Sequence, residues 1–129
     1  MAAARFRILR HRPDGSGPVG SGRVSWRLLA TNNRDLGRAP TTYPDPESCR
    51  AAVLRLQRNV ADLRIVIVRT GPSTWSWRIV AGATVVALSS RDYQRRIQAD
   101  QAATTALDLI PLAELVGLDH GDGTNRTRR

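Results

Sequence analysis

Ser25-Trp26-Arg27-Leu28-Leu29-Ala30 returns as Ser76-Trp77-Arg78-Ile79-Val80-Ala81, with Trp77 standing 51 residues after Trp26. Each copy runs on to a tyrosine, Tyr43 and Tyr93, 50 residues apart, and then to a stretch of helical spacing. One register therefore carries the strand, the turn and the aromatic of both copies with a single-residue gap, which predicts a tandem repeat. The chain has 129 residues, and a unit of roughly 50 to 60 residues is marginal alone because it buries too little of its surface. The two copies are expected to share one core. The reading is a single globular domain over residues 1–118, made of repeats at 5–58 and 63–112, followed by a disordered basic tail at 119–129.

Within the first copy, Phe6-Arg7-Ile8-Leu9 reads as a short strand, and the breaker-rich run from Pro13 to Gly22 as a flexible loop. Arg23 to Thr31 alternates, with Val24, Trp26, Leu28 and Ala30 on one face and Ser25, Arg27 and Leu29 on the other, the pattern of a half-buried strand. Asn32-Asn33 supplies a tight turn, since asparagine tolerates positive φ, and Leu36 to Thr41 returns as a weaker strand. Pro44-Asp45-Pro46-Glu47 is a helix start: Asp45 can cap, Pro46 suits the first helical position, and Glu47 favours the positive end of the helix dipole. Cys49, Val53 and Leu56 then follow at i, i+4, i+7, the spacing of one buried helix face.

The second copy repeats this order. Leu63 to Arg69 is a β-rich run, Gly71-Pro72-Ser73 a turn, and Thr74 to Ala81 a strand with Trp75, Trp77 and Ile79 inward and Ser76, Arg78 and Val80 outward. Gly82-Ala83 turns the chain into a returning strand, Val85 to Ser89. Gln94 to Ile110 is predicted helical, burying Ala103, Leu107 and Ile110, and Pro111 ends or kinks it. Leu112, Leu115, Val116 and Leu118 are expected to form one more amphipathic turn against the core.

Composition narrows the class of protein. Hydrophobic residues make up 41% of the chain, which supports a packed globule, and no stretch approaches the roughly 20 apolar residues of a membrane span. The segment from Met1 to Arg7 has no apolar run before its charges, so no signal peptide is expected. Cys49 is the one cysteine, read as a small buried thiol rather than a reactive one, and a reducing cytoplasm is the expected compartment. The formal net charge is +9, and all 20 basic residues are arginine, the mark of GC-rich coding. Over half of the excess lies near the ends, where Arg5, Arg7, Arg10 and Arg12 face no acid and Arg126, Arg128 and Arg129 face only Asp119 and Asp122. Such ends bind phosphate backbones by counterion release, and they are also ordinary solvated termini.

The order of strand, Trp-Arg-Leu-Leu-Ala, Asn-containing turn, returning strand, tyrosine and small-residue helix resembles the YegP-like family of small domains of unknown function. The matching residues are Phe6, Trp26 to Ala30, Asn32-Asn33, Tyr43, Ala52 and Val53 in the first copy, and Trp77 to Ala81 with Tyr93 in the second. The second turn, Gly82-Ala83-Thr84, lacks the asparagine, and the long glycine-rich loop is atypical. The resemblance implies an α+β fold in which two tandem β-β-β-α repeats form one antiparallel sheet with the helices packed on one face, related by a pseudo-two-fold axis. It carries over a fold and no catalytic residue.

The chemistry that can be placed is that of binding. Gly15-x-Gly17-x-x-Gly20 matches a dinucleotide-binding pattern, but that motif must open a helix whose N-terminus holds the pyrophosphate, and here a strand follows. A kinase-type glycine loop would need a lysine that this chain does not contain. His11 and His120 lie at opposite ends with a single cysteine between them, which is no zinc set, and the cluster Asp119-His120-Gly121-Asp122 sits in a glycine-rich tail. No catalytic residue, cofactor or metal ligand is assigned. Trp26, Trp75 and Trp77 could stack bases, yet their period-2 placement opposite arginine makes them core residues. Arg7, Arg27, Arg64 and Arg78 are expected to project from neighbouring strands on the side that the helices leave open. A sheet studded in this way suits an acidic protein or a phosphate backbone. The expectation is therefore a non-enzymatic binding module, monomeric because its repeats form an intramolecular pseudo-dimer, with an acidic protein partner favoured over non-specific nucleic-acid binding.

Overall fold

The computed structural model of the protein describes residues 3–11 and 22–117. The glycine-rich loop before Gly22, the tail at 119–129 and the Asp119-His120 cluster lie outside the described residues. The first half contains strands β1 (Arg5–His11), β2 (Arg23–Leu29) and β3 (Asp35–Arg38) and the helix α1 (Pro46–Arg58). A 3-10 turn, Val60–Asp62, leads into β4 (Leu63–Gly71), β5 (Thr74–Ala81), β6 (Thr84–Ser89), the helix α2 (Arg96–Leu109) and a last strand, β7 (Glu114–Val116). All seven strands form one sheet in the order β4-β5-β6-β3-β2-β1-β7.

Local chemistry accounts for the elements. Asp45 caps α1, its carboxylate accepting from the Ser48 amide at 2.7 Å, and Pro46 opens the helix where its missing N–H costs nothing. Those amide bonds hold the Asp45 carboxyl below the usual range. Asn33 turns β2 into β3 at a φ of 67°, and Gly82 does the same between β5 and β6 at 61°. Tyr43 and Tyr93 are each stitched to an earlier strand: Tyr43 exchanges two backbone hydrogen bonds with Val24 (2.9 and 2.7 Å) and Tyr93 two with Trp75 (2.7 and 2.6 Å).

One contiguous apolar core takes in Phe6, Ile8, Val24, Trp26, Leu28, Trp77, Ile79 and Ala87 from one face of the sheet, with Cys49, Val53 and Leu56 of α1 and Ala103 and Ala106 of α2. Trp26 and Trp77 are 2% and 1% exposed, as the alternation requires. Their polar edges differ. The indole N–H of Trp26 lies beside the Tyr43 hydroxyl, whereas that of Trp77 is buried with no partner among the described residues. Trp26 also meets Phe6 edge-on, the ring centroids 5.1 Å apart. Trp77 reaches from β5 across to β3, where a Cβ on Gly37 would stand 2.7 Å from its Cη2; glycine there lets the ring cross the junction between the two halves.

Several expectations are corrected. The sheet is mixed rather than purely antiparallel, because β7 runs parallel to β1, with Arg5 opposite Glu114 and Arg7 opposite Val116. The segment read as an amphipathic turn is this strand. Pro111 blocks further helix, the free edge of β1 offers unpaired backbone groups, and Glu114 donates to the Ala4 carbonyl at 2.9 Å. The Gln57 amide clamps the preceding turn through the carbonyls of Ile110 and Ala113, both at 2.9 Å. Leu112 is consequently 73% exposed. Helix α2 starts at Arg96 rather than Gln94 and buries Ala99, Ala103 and Ala106 rather than Leu107. The 50-residue offset of the tyrosines carries Cys49, Val53 and Leu56 onto these three alanines. Strands β2 and β3 end earlier than expected, at Leu29 and Arg38. Trp75 is only half-buried, and the guanidinium of Arg69 lies over its ring, 5.6 Å from the centroid. On the face expected to be outward, Ser25 and Leu29 are buried.

Candidate functional site

The strand registers decide which arginines meet. On the face away from the core, Arg7 of β1 lies opposite Arg27 of β2, and Arg27 lies opposite Arg38 of β3. Arg38 pairs with Leu88 of β6, which pairs with Arg78 of β5, which pairs with Val66 of β4. Val116 of β7 closes the other end beside Arg7. A single row thus crosses the whole sheet: Val116, Arg7, Arg27, Arg38, Leu88, Arg78, Val66. With adjacent strands about 4.8 Å apart, the four arginines span roughly 19 Å of backbone. Arg64 shares the face, opposite Val80 and two residues from Val66 along β4.

Three of the four expected arginines are therefore in one row and the fourth stands beside it. Arg38 had not been expected there. Counting back from the Asn32-Asn33 turn would set Gly37 against Arg27, but a bulge between Leu28 and Leu29 shifts the register and sets Arg38 there instead. Without the bulge Arg38 would project on the core side.

Like charges placed directly opposite one another oppose sheet pairing, and one acid relieves part of that strain. Asp35 accepts from the Arg27 guanidinium at 2.7 Å and from the Ser90 hydroxyl at 2.6 Å. Arg27 is thereby held in place and partly neutralised. Arg38, Arg64 and Arg78 are exposed and have no ion pair among the described residues. Two shallow depressions flank Arg38, one of about 280 Å³ bordered by Ser25, Arg27 and Thr41, the other of about 350 Å³ bordered by Ser76, Arg78 and Asp92. Apolar side chains punctuate the row: Val66 is 42% and Val116 37% exposed, and Leu88 is half-buried between two arginines.

Other candidate groups are placed elsewhere. Cys49 is fully buried and burial pushes its thiol up to about 11, so at neutral pH it is a protonated core residue. Trp26 and Trp77 have no free ring face for a base to stack on. Among the described residues no group of three or more histidine, cysteine, aspartate and glutamate side chains could hold a metal ion, and no helix is long and apolar enough to cross a membrane.

A seven-stranded mixed sheet with two helices, edged by a short parallel strand, defines an α+β fold that two solved structures share. One is the protein of unknown function YegP from E. coli, with a TM-score of 0.65 at 11% sequence identity, covering 94% of this chain and 97% of that one. The other is a UPF0339 protein from Shewanella oneidensis, with a TM-score of 0.67 at 9% identity, covering 93% and 97%. The resemblance expected from the Trp-Arg-Leu-Leu-Ala strand and its tyrosine therefore holds at the level of the fold. No protein-family model and no curated protein sequence matches the chain.

Proposed function

We propose that the protein is a non-enzymatic binding module that engages an acidic protein surface across the arginine row. The carrying observation is the register that aligns Arg7, Arg27, Arg38 and Arg78 on one face. Guanidiniums hold carboxylates in bidentate geometry and stay charged at any working pH, so they bind rather than shuttle protons. The apolar residues set into the row, Val116, Leu88 and Val66, favour a protein over a nucleic acid, because a phosphate backbone offers them nothing to cover.

The experiment is fluorescence anisotropy with a labelled poly-glutamate peptide and with duplex DNA, each titrated over a range of salt. Arg38→Ala with Arg78→Ala should weaken the peptide complex at least tenfold while leaving the melting temperature within a few degrees. Nucleic acid is the second reading. It would be favoured by tighter binding of DNA, with log affinity falling by about 0.9 per phosphate contact against log salt. If neither probe responds to the double substitution, the row is not the binding face.

The same reading takes the two halves as copies of one unit joined by the β3–β6 pairing. It is supported by the 51-residue return of the tryptophan strand and by the matched Val24–Tyr43 and Trp75–Tyr93 bridges. A chain that carries its own partner copy should be monomeric, in a reducing cytoplasm where Cys49 stays a thiol. Light scattering at micromolar concentration checks the first point. A dimer would implicate the nine-residue free edge of β4.

A further inference from the structure

On the opposite face of the sheet from the arginine row, a cleft of about 390 Å³ opens between α1 and the β5–β6 hairpin. Its position is a consequence of how the halves meet: Trp26, Tyr43 and Leu56 come from the first half, and Ala81, Val85 and Val86 from the second. The walls are mostly apolar, and the volume is that of a small-molecule site. Two of the polar groups that line it decide its chemistry.

Tyr43 is half-buried, and burial holds its hydroxyl above the ordinary phenol range, so at neutral pH it keeps its proton. The Trp26 indole N–H lies beside the oxygen, and among the described residues the hydroxyl proton has no acceptor. Arg55, one turn before the end of α1, lines the same cleft, lies near enough to act electrostatically on Tyr43, and has no ion pair among the described residues. Both groups are donors, so an occupant must bring an acceptor, preferably an anionic one. Asp62 also lines the cleft, and its charge opposes a second negative group on the ligand.

We propose that this cleft is a binding site for a small apolar monocarboxylate, its carboxylate held by Arg55 and the Tyr43 hydroxyl and its hydrocarbon body covering Leu56, Ala81 and Val86. A control lies in the same molecule. The cleft of about 330 Å³ beside α2 is built around Tyr93 but is lined by Arg34, Arg91, Gln98 and Gln101, with Arg91 over the tyrosine ring at 5.5 Å. Leu36 and Ala102 are the aliphatic residues in its otherwise mostly polar lining, so it should not take the same ligand.

The test is titration of the full ¹⁵N-labelled chain with phenylacetate, indole-3-acetate and octanoate, following the indole N–H signals of Trp26 and Trp77. At least one carboxylate should shift the Trp26 signal saturably, with a Kd of about a millimolar or below, and leave Trp77 unmoved. The matching neutral amide should bind at least tenfold more weakly. Arg55→Gln, at an exposed helix position, should abolish that preference for acid over amide with the Trp77 signal unchanged. The proposal is overturned if no carboxylate gives a saturable Trp26 shift up to about 10 mM, if acid and amide bind alike, or if Arg55→Gln leaves the preference intact. A response confined to the backbone signals of Arg38 and Arg78 would also overturn it, since that would be anion binding on the other face.

Discussion

Replacing Trp26 with phenylalanine should destabilise the protein by more than the same change at Trp77, although both indoles are buried and come from the same six-residue sentence. Each substitution empties a similar volume from a site that is at most 2% exposed, so the cavity cost of losing part of the ring is common to both and drops out of the comparison. The polar edges do not cancel. Trp26→Phe removes an indole N–H that has the Tyr43 hydroxyl beside it, a net loss of at most about 1 kcal/mol. Trp77→Phe removes a buried N–H that has no acceptor among the described residues, recovering a desolvation penalty of about 1–3 kcal/mol. The two effects act in opposite directions, so the difference between the variants should be about 1–4 kcal/mol, with Trp77→Phe the milder. Urea denaturation followed by far-UV circular dichroism measures both, provided that the m-values stay equal, which shows that the same surface unfolds. Equal losses, or a larger loss at Trp77, would refute the reasoning and mean that the Trp77 N–H finds a partner in solution.

Gly37→Ala should cost about 1–3 kcal/mol by overpacking, because its methyl would stand 2.7 Å from Trp77 Cη2; the loss should shrink in a Trp77→Phe background, which a double-mutant cycle in urea reads directly. The Cys49 thiol titrates at about 11 in the fold against about 8.5 in an unfolded chain. Its contribution to stability is thus complete below about pH 8.5 and is lost as pH climbs toward 11. Cys49→Ala should flatten the alkaline limb of a stability–pH profile, while a thiol reagent at pH 8 should label Cys49 only after denaturant is added; rapid labelling of the native protein would contradict its burial.

The apolar patterns were legible because they are local. Period-2 alternation around Trp26 and Trp77 needs only that successive side chains point to opposite faces, and the cap at Asp45, the helix face of Cys49, Val53 and Leu56 and the turn at Asn33 each lie within a few residues. The face of α2 was legible in the 50-residue offset of the tyrosines, which carries Cys49, Val53 and Leu56 onto Ala99, Ala103 and Ala106: an alanine face lets a helix lie close on a sheet already filled by tryptophan. Arg7, Arg27 and Arg78 could be put on one face from alternation alone. Arg38 could not, since its place depends on the bulge at Leu28–Leu29, which forms when two distant strands pair.

The sequence by itself determined the strands around Trp26 and Trp77, the capped start of α1, and the burial of Val24, Trp26, Leu28, Trp77 and Ile79 and of the α1 face formed by Cys49, Val53 and Leu56. Only the tertiary structure decided that a seventh strand joins β1 in parallel, that four arginines line up across the sheet, and that a cleft opens where α1 meets the β5–β6 hairpin. The division has one cause. Burial and turn chemistry act on neighbours along the chain, whereas register, edge pairing and the gaps between packed elements arise from contacts between residues far apart in it, and a shift of one residue in such a pairing turns an arginine from solvent to core.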